Sequence, residues 1–395
     1  MRRQIRIFVP GSKSLTQRAL VLASLAKGKS VLLGPCVCDD TLHLARALRA
    51  MGIIVRMRRD RWEVRSGGAL HPARKRLFLG NAGTAVRFLG ALSALVDGEI
   101  LLDGSEAMRR RPQGELLAAL QQLGVRVRAA RGGRLPVLLR GPARRRPAGL
   151  DVEAAVSSQH LSGLLMAAPL LPGGLELRLP RAAVSLPYVA MTGALMRRFG
   201  VRVELPGRGR LRVRPGAYRP ARVRIEVDAS GAAMMQAAAV LSGRKVRIPG
   251  APGKALQGDA VFPAVVRKLA SPGPKVIDMR RTPDIVPPAV ALALFRGGTT
   301  RLRGVAHLRA KESDRLAVLA GELRKLGAKI EERRDGLFVR PAALRGGVRL
   351  DPHGDHRMAM TFGLVGLRVR GVRIADRACV TKSFPGFFRE LGKLR

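Results

Sequence analysis

Aromatic side chains are scarce in this chain: one Trp, two Tyr and 11 Phe, 4% of 395 residues. A core with so few rings must be built from Leu, Val, Ala and Ile, which suits helices packed on sheets. The same scarcity argues against nucleic-acid binding through aromatic platforms on strands. Cysteine is nearly absent. Cys36, Cys38 and Cys379 form no disulfide framework in a chain of this length. Cys36-x-Cys38 lacks the second pair of ligands that a structural zinc needs, so idle thiols in a reducing compartment are expected. No apolar run approaches the ~18 residues of a membrane span. The first ten residues, MRRQIRIFVP, carry Arg6 inside their apolar stretch, unlike a signal peptide. A cytoplasmic protein with no membrane partner is expected. Acidic residues are few as well. Against 28 Asp and Glu stand 73 Lys and Arg, a formal charge of +45 at pH 7. The cations recur in nearly every block of ten, often in strand-like runs such as Leu211-Arg212-Val213-Arg214. A small anionic substrate does not require +45, so most of this charge serves something else.

What the chain does have is length and apolar content. It is too long for one ordinary domain and comfortable for two. Hydrophobic residues make up 47%, enough for a sizeable core. One pattern returns along it: an amphipathic helix, then Gly, then a short alternating strand. It reads Leu48 to Val55 around Gly52, Leu120 to Val127 around Gly124, Leu195 to Val203 around Gly200, and Leu323 to Ile330 around Gly327. Apolar spacing of three and four predicts the helix, the Gly its left-handed C-cap, and the alternation a half-buried strand. After three copies a second strand is expected, at Trp62–Arg65, Leu211–Arg214 and Leu337–Arg340. A worn copy stands at Val266–Ala270, and a sixth, Phe388–Gly392, lies near the C-terminus. Six α/β units fit the length, grouped three and three, with a crossing near Ile225–Ser230.

The chemistry-bearing motifs stand where strands run into helices. A predicted strand Ile5–Val9 leads into Pro10-Gly11-Ser12-Lys13-Ser14-Leu15-Thr16-Gln17-Arg18. Lys and Arg beside Gly and Ser at a helix start make an anion site. A Walker loop is excluded, because the Gly required five residues before Gly11 is Arg6. Gly80-Asn81-Ala82-Gly83-Thr84-Ala85-Val86-Arg87 repeats the logic, its glycines allowing close backbone approach. Further candidates are Arg109-Arg110-Arg111-Pro112, Ser157-Ser158-Gln159, Thr282-Pro283-Asp284, Lys311-Glu312-Ser313-Asp314-Arg315, Asp355-His356-Arg357 and Thr381-Lys382-Ser383. His353 and His356 have only Asp355 near them in sequence, so no metal is expected. No Ser-His-Asp order and no Cys beside a basic loop supplies a nucleophile.

Taken together the motifs resemble the EPSP synthase family of enolpyruvyl transferases. GSKSLTQR, NAGTAVR, RRP, SSQ, VDAS, KESDR, DHRMAM and TKSFPGFF come in the family's order from Pro10 to Pro385. The resemblance implies an α/β fold, a two-domain inside-out α/β barrel of six repeated units, three per domain. Residues 12–226 would form one domain; 227–395, completed by the N-terminal strand 1–11, would form the other, with ligands in the cleft. It implies transfer of the enolpyruvyl group of phosphoenolpyruvate to the 5-hydroxyl of shikimate 3-phosphate, with release of phosphate, no cofactor and no metal. Lys13 would touch both substrates. Gly83, Arg87, Arg111, Gln159, Arg315, Arg357 and Lys382 would hold phosphoenolpyruvate. Ser14, Arg18, Ser157, Ser158, Gln159, Ser185, Asp284 and Lys311 would hold shikimate 3-phosphate, with Tyr188 beside them. Asp284 would accept the hydroxyl proton, and Glu312 or Lys13 would protonate the methylene carbon. His307 stands where many relatives have Asn and is not counted as a contact. Glyphosate is expected to compete with phosphoenolpyruvate. The related transferase acting on UDP-N-acetylglucosamine carries a reactive Cys in the loop before its Arg-Pro; Glu106–Pro112 has none. The RNA terminal-phosphate cyclases share similar units but need ATP and a nucleophilic His. A monomer is expected.

Overall fold

The computed structural model describes residues 4–145, 149–152, 158–179, 186–207, 209–251 and 255–395. The chain divides into two compact units. One is Gly11–Ile225; the other is Glu226–Arg395 joined by the N-terminal segment up to Pro10.

The unit Gly11–Ile225 holds three four-stranded sheets among its described residues. Their strand orders are Arg222–Arg224, Gly28–Leu33, Arg61–Ser66, Ile54–Met57; then Leu77–Phe78, Gly98–Asp103, Arg134–Gly141, Arg126–Ala130; and Leu150–Asp151, Leu175–Arg178, Arg210–Val213, Glu204–Gly207. Each sheet begins with a parallel pair and continues with two antiparallel neighbours. The other unit repeats that order once, in Lys275–Asp278, Thr300–Arg303, Gly336–Arg340, Lys329–Arg333. Its two remaining sheets keep only the parallel pair: Ile5–Arg6 with Val246–Arg247, and Arg349–Leu350 with Arg373–Ile374. Six parallel pairs are therefore the common element of the six expected units.

The repeated glycines do the expected work. Gly52, Gly124, Gly200 and Gly327 have φ of 91°, 81°, 91° and 88°, values at which a side chain would be strained. Each donates its N–H to the carbonyl three residues back, and the next residue donates to the carbonyl five back, at Leu48, Leu120, Met196 and Leu323. That pair of bonds closes the helix C-terminus in a Schellman motif. The worn copy lacks it: its helix Phe262–Ala270 ends on an extended Ser271.

Three strand expectations differ. The first strand covers only Ile5–Arg6. The strand expected at Val201–Val203 starts later, at Glu204–Gly207, where the hairpin register shifts. The second copy has a second strand the pattern did not predict, Arg134–Gly141. Pro136 argues against a strand in the sequence, and in the structure it stands at an exposed position opposite a register shift between Ala129 and Ala130. A bulge is the place where a strand tolerates a residue without an N–H.

Four of the helices beside the motifs are buried on all sides, or nearly so, rather than on one stripe. Every residue of Gly83–Leu92, Val286–Ala293 and His356–Val365 is buried, as is Leu15–Leu25 of the helix Lys13–Leu25. Small residues let such helices approach closely. A Cβ on Gly163 would lie 2.9 Å from Ala91 Cβ and 3.0 Å from the Arg87 carbonyl oxygen. Gly163 thus sets the distance between the helices Gly83–Leu92 and Gln159–Ala167. Gly163→Ala is expected to destabilise the protein by ~1–3 kcal/mol through overpacking. Thermal unfolding followed on Trp62, the single and fully buried tryptophan, checks this; an unchanged midpoint would count against close packing at that crossing.

Candidate active site

In the unit Gly11–Ile225 the motif cations fall into linked clusters. The helix Lys13–Leu25 is capped by buried Ser12, whose Oγ accepts from the Leu15 N–H. Lys13 stands on its first turn and pairs with Asp40 at 2.9 Å. Asp40 is 3% exposed and begins another helix, Asp39–Ala50. Arg18, one turn further along, is 1% exposed. Its Nε donates to Thr192 Oγ1 at 2.7 Å, Nη1 to the Ser14 carbonyl at 3.0 Å and Nη2 to Ser162 Oγ at 3.1 Å. Its guanidinium carbon lies 5.2 Å from the Phe88 ring centre and 5.8 Å from that of Tyr188. Burial lowers its pKa to about 10, with Tyr188 opposing, so it stays cationic at neutral pH.

Arg87 is held by a chain of bonds. Its Nη1 donates to Gln159 Oε1 at 2.7 Å and its Nε to His160 Nε2 at 3.0 Å. The other ring nitrogen of His160 lies 2.9 Å from Glu115 Oε2. Burial pushes His160 down to about 4, reinforced by Arg87 and Arg111 against the pull of Glu115. A neutral ring that donates from Nδ1 to Glu115 and accepts from Arg87 satisfies both contacts. Arg111 is 7% exposed and lies against Gly83: a Cβ there would be 2.6 Å from Arg111 Nη1. The glycine is what lets this guanidinium lie along the backbone at the helix start.

In the other unit one residue organises the site. Arg315 opens the helix Arg315–Arg324 and is 1% exposed. Nε donates to Asp355 Oδ2 at 2.7 Å, Nη1 to Asp284 Oδ1 at 3.0 Å and Nη2 to Glu312 Oε2 at 2.9 Å. Burial works against its charge, and the three carboxylates more than restore it, holding the guanidinium well above its ordinary range. Arg357 reaches Asp284 from the other side, 3.2 Å from Oδ2, and donates to its carbonyl at 3.1 Å. Lys382 lies 3.8 Å from Glu312 Oε1. Asp355 also caps the helix His356–Val365. Buried Asp259 accepts the Ser230 hydroxyl. Burial first, and Asp284 second, push its carboxyl up to about 7. His307, 8% exposed, is lowered to about 4 by burial and then by Lys311.

The structure thus brings Asp284, Glu312, Arg315, Arg357 and Lys382 into contact, and links Arg87 to Gln159 and Gly83 to Arg111. Ser158 is buried just before the helix Gln159–Ala167. Ser157 and Ser185 lie outside the described residues. The sequence alone did not point to Asp40, Glu115, His160, Ser162, Thr192 or Asp259. Asp355 carried a signal only as an acid before a helix. Its ion pair joins segments 40 residues apart, which no local pattern records.

A sequence profile of the family described as EPSP synthase (3-phosphoshikimate 1-carboxyvinyltransferase) matches residues 2–391. A protein of Rhizobium etli called 3-phosphoshikimate 1-carboxyvinyltransferase is 41% identical, over 98% of this chain and 94% of its own length. One of Salmonella agona with the same name is 39% identical, over 98% and 96%. The solved structure of an EPSP synthase from Acinetobacter baumannii aligns with a TM-score of 0.80 at 22% identity, covering 100% of this chain and 96% of that one. The likeness in structure carries the two-domain α/β fold.

Asp259 gives a test of the local electrostatics. With its folded pKa raised to about 7, the folded protein holds a proton that the unfolded chain has released between about pH 4 and 7. Stability from this group is complete below the ordinary Asp range and falls as pH rises through about 7. Asp259→Asn is neutral throughout and still accepts from Ser230. The melting temperature of the variant minus that of the parent is therefore expected to grow from pH 4 to pH 8. A difference independent of pH would overturn the assignment.

Proposed function

The chain belongs to the EPSP synthase family, and we propose on that premise which of its side chains carry each part of the reaction. The enzyme transfers the carboxyvinyl group of phosphoenolpyruvate to the 5-hydroxyl of shikimate 3-phosphate and releases phosphate. The observation that carries the assignment is the Arg315 cluster: two candidate proton carriers, Asp284 and Glu312, fixed on one buried guanidinium with Arg357 and Lys382 against their other sides.

Both substrates bear phosphate and carboxylate, so their mutual repulsion must be offset by cations. Arg87, Arg111, Arg315, Arg357 and Lys382, with Gln159 and the Gly83 backbone, hold phosphoenolpyruvate. Ser14, Arg18, Ser157, Ser158, Gln159, Ser185, Asp284 and Lys311 hold shikimate 3-phosphate, with Tyr188 beside Arg18, and Lys13 serves both. A charge-assisted bond contributes ~1.5–3 kcal/mol, so several together can keep two anions side by side. Replacing phosphate at the enol carbon by the 5-oxygen of shikimate 3-phosphate requires the hydroxyl to lose a proton and the methylene carbon to gain one. The methyl group then returns a proton as phosphate leaves and the double bond re-forms. Asp284 takes the hydroxyl proton. Its two oxygens rest on Arg315 and Arg357, which orient the carboxylate. Glu312, set between Arg315 and Lys382, and Lys13, set on Asp40, are the two groups suited to the methylene proton. A formal charge of +45 opposes close approach of two copies, which supports a monomer.

Phosphate release from the two substrates tests the activity. Asp284→Asn is expected to lower kcat by ~10²–10⁴, and Lys13→Ala to abolish measurable turnover. No release by folded parent protein would sink the proposal. Gly83→Ala places a methyl where the Arg111 guanidinium lies. It is expected to raise KM for phosphoenolpyruvate several-fold while leaving KM for shikimate 3-phosphate near its parent value, and to weaken glyphosate inhibition in parallel. Equal changes in both KM values would count against Arg111 as a phosphoenolpyruvate ligand.

A further inference from the structure

The strand registers contain a feature the transferase reaction does not use. Every sheet among the described residues sets two cations directly opposite one another on neighbouring strands. In the unit Gly11–Ile225 the pairs are Lys29 with Arg65, Arg126 with Arg140, and Arg178 with Arg210. In the other unit they are Arg6 with Arg247, Lys329 with Arg340, and Arg349 with Arg373. All twelve side chains are exposed. Like charges across a ladder are destabilising, and a fold ordinarily sets a carboxylate between them. Some members have one: Arg178 pairs with Asp151 at 3.0 Å and Arg340 with Glu331 at 2.5 Å. Among the described residues, neither member of the Arg6–Arg247 and Arg349–Arg373 pairs has an ion-pair partner, and Arg126 has none. Arg126 also lines an open groove of about 510 Å³ with Arg144 and Arg145, and among the described residues neither of these two has an ion-pair partner.

We propose that these outward sheet faces bind the phosphate backbone of duplex nucleic acid, without sequence preference, beside the transferase activity. A phosphate laid across a cation pair removes the repulsion the ladder otherwise carries. The cations are mostly arginine, 60 against 13 lysines, and arginine grips phosphate bidentately. Aromatics able to stack single-stranded bases are few: Trp62 is buried within its strand, and of the aromatics among the described residues only Phe8 and Phe78 are exposed. A membrane surface fits less well. The nine exposed large apolar residues among the described ones, from Phe8 to Val276, fall on separate stretches of sequence and not on one amphipathic helix.

Fluorescence anisotropy with a short RNA duplex, across salt concentrations, tests this on the full-length enzyme. The dissociation constant is expected to rise about a thousandfold or more between 50 and 200 mM salt. The variant Arg126→Ser/Arg247→Ser/Arg349→Ser/Arg373→Ser removes unpaired cations. It is expected to reduce the salt slope by about 1 for each phosphate no longer gripped. A control, Arg61→Ser/Arg212→Ser/Arg214→Ser/Arg333→Ser, removes the same charge from guanidiniums already paired with Glu63, Glu176, Glu204 and Glu331. It is expected to change the slope by less than half as much. Phosphate release by both variants should match the parent, which shows that each is folded and keeps this test separate from that of the transferase. Equal loss of slope in the two variants, no duplex binding at 150 mM salt, or tighter binding to phosphatidylserine vesicles than to duplex would each overturn the proposal.

Discussion

A guanidinium that is 1% exposed keeps its charge only if anions follow it inside, and Arg315 has three of them. The arrangement runs both ways. Asp284, Glu312 and Asp355 would repel one another at such distances without the cation between them. Removing one partner of a buried pair typically costs about 3–5 kcal/mol, because the remaining charge is stranded. The cluster therefore locks three segments together: the turn at Asp284, the Glu312–Arg315 motif, and the helix start at Asp355 with its neighbour Arg357. Asp259 shows the same constraint from the other side. It is buried, and it sits in the field of Asp284 with Arg357 only partly offsetting, so it keeps its proton up to about pH 7.

Arg18 is equally buried, and its partners are different in kind. It bonds two hydroxyls and a carbonyl and lies against two rings. Neutral partners orient a guanidinium without cancelling it. Arg18 thus presents a desolvated positive charge, whereas Arg315 spends its charge on positioning carboxylates. On the proposed assignment Arg18 would meet shikimate 3-phosphate with its charge uncancelled, and Arg315 would meet phosphoenolpyruvate while also holding the acid–base groups still. Arg87 lies between these cases. Neutral His160 relays it to Glu115, so the carboxylate steers the guanidinium through an imidazole rather than neutralising it directly.

How much of this was readable in the residues follows the range of the interactions. Helix–Gly–strand punctuation is local, so Gly52, Gly124, Gly200 and Gly327 announced their caps and four of the six units. The two reduced units in the second half were harder, since their strands are two residues long and carry no alternation. Helix starts were legible because capping acids and Ser stand beside the motif cations. Contacts such as Lys13 with Asp40, Arg18 with Thr192, or Arg315 with Asp355 join distant segments and leave no periodic trace. The exposed alternation of Arg along strands was visible as composition. Its meaning was not, because a cross-strand cation pair exists only once the register is known.

That register also separates the two populations of charge. The cations assigned to substrates are buried or nearly so, where water and salt screen them little. The arginines on the sheet faces are exposed, and at physiological salt their fields fade within about 8 Å. They therefore add little to the grip on a bound substrate, however numerous they are. What a large exposed excess does control is the distant approach of anions, and only at low ionic strength. A net charge of +45 is thus compatible with an ordinary transferase site, and it must be explained by what touches the surface rather than by what enters the site.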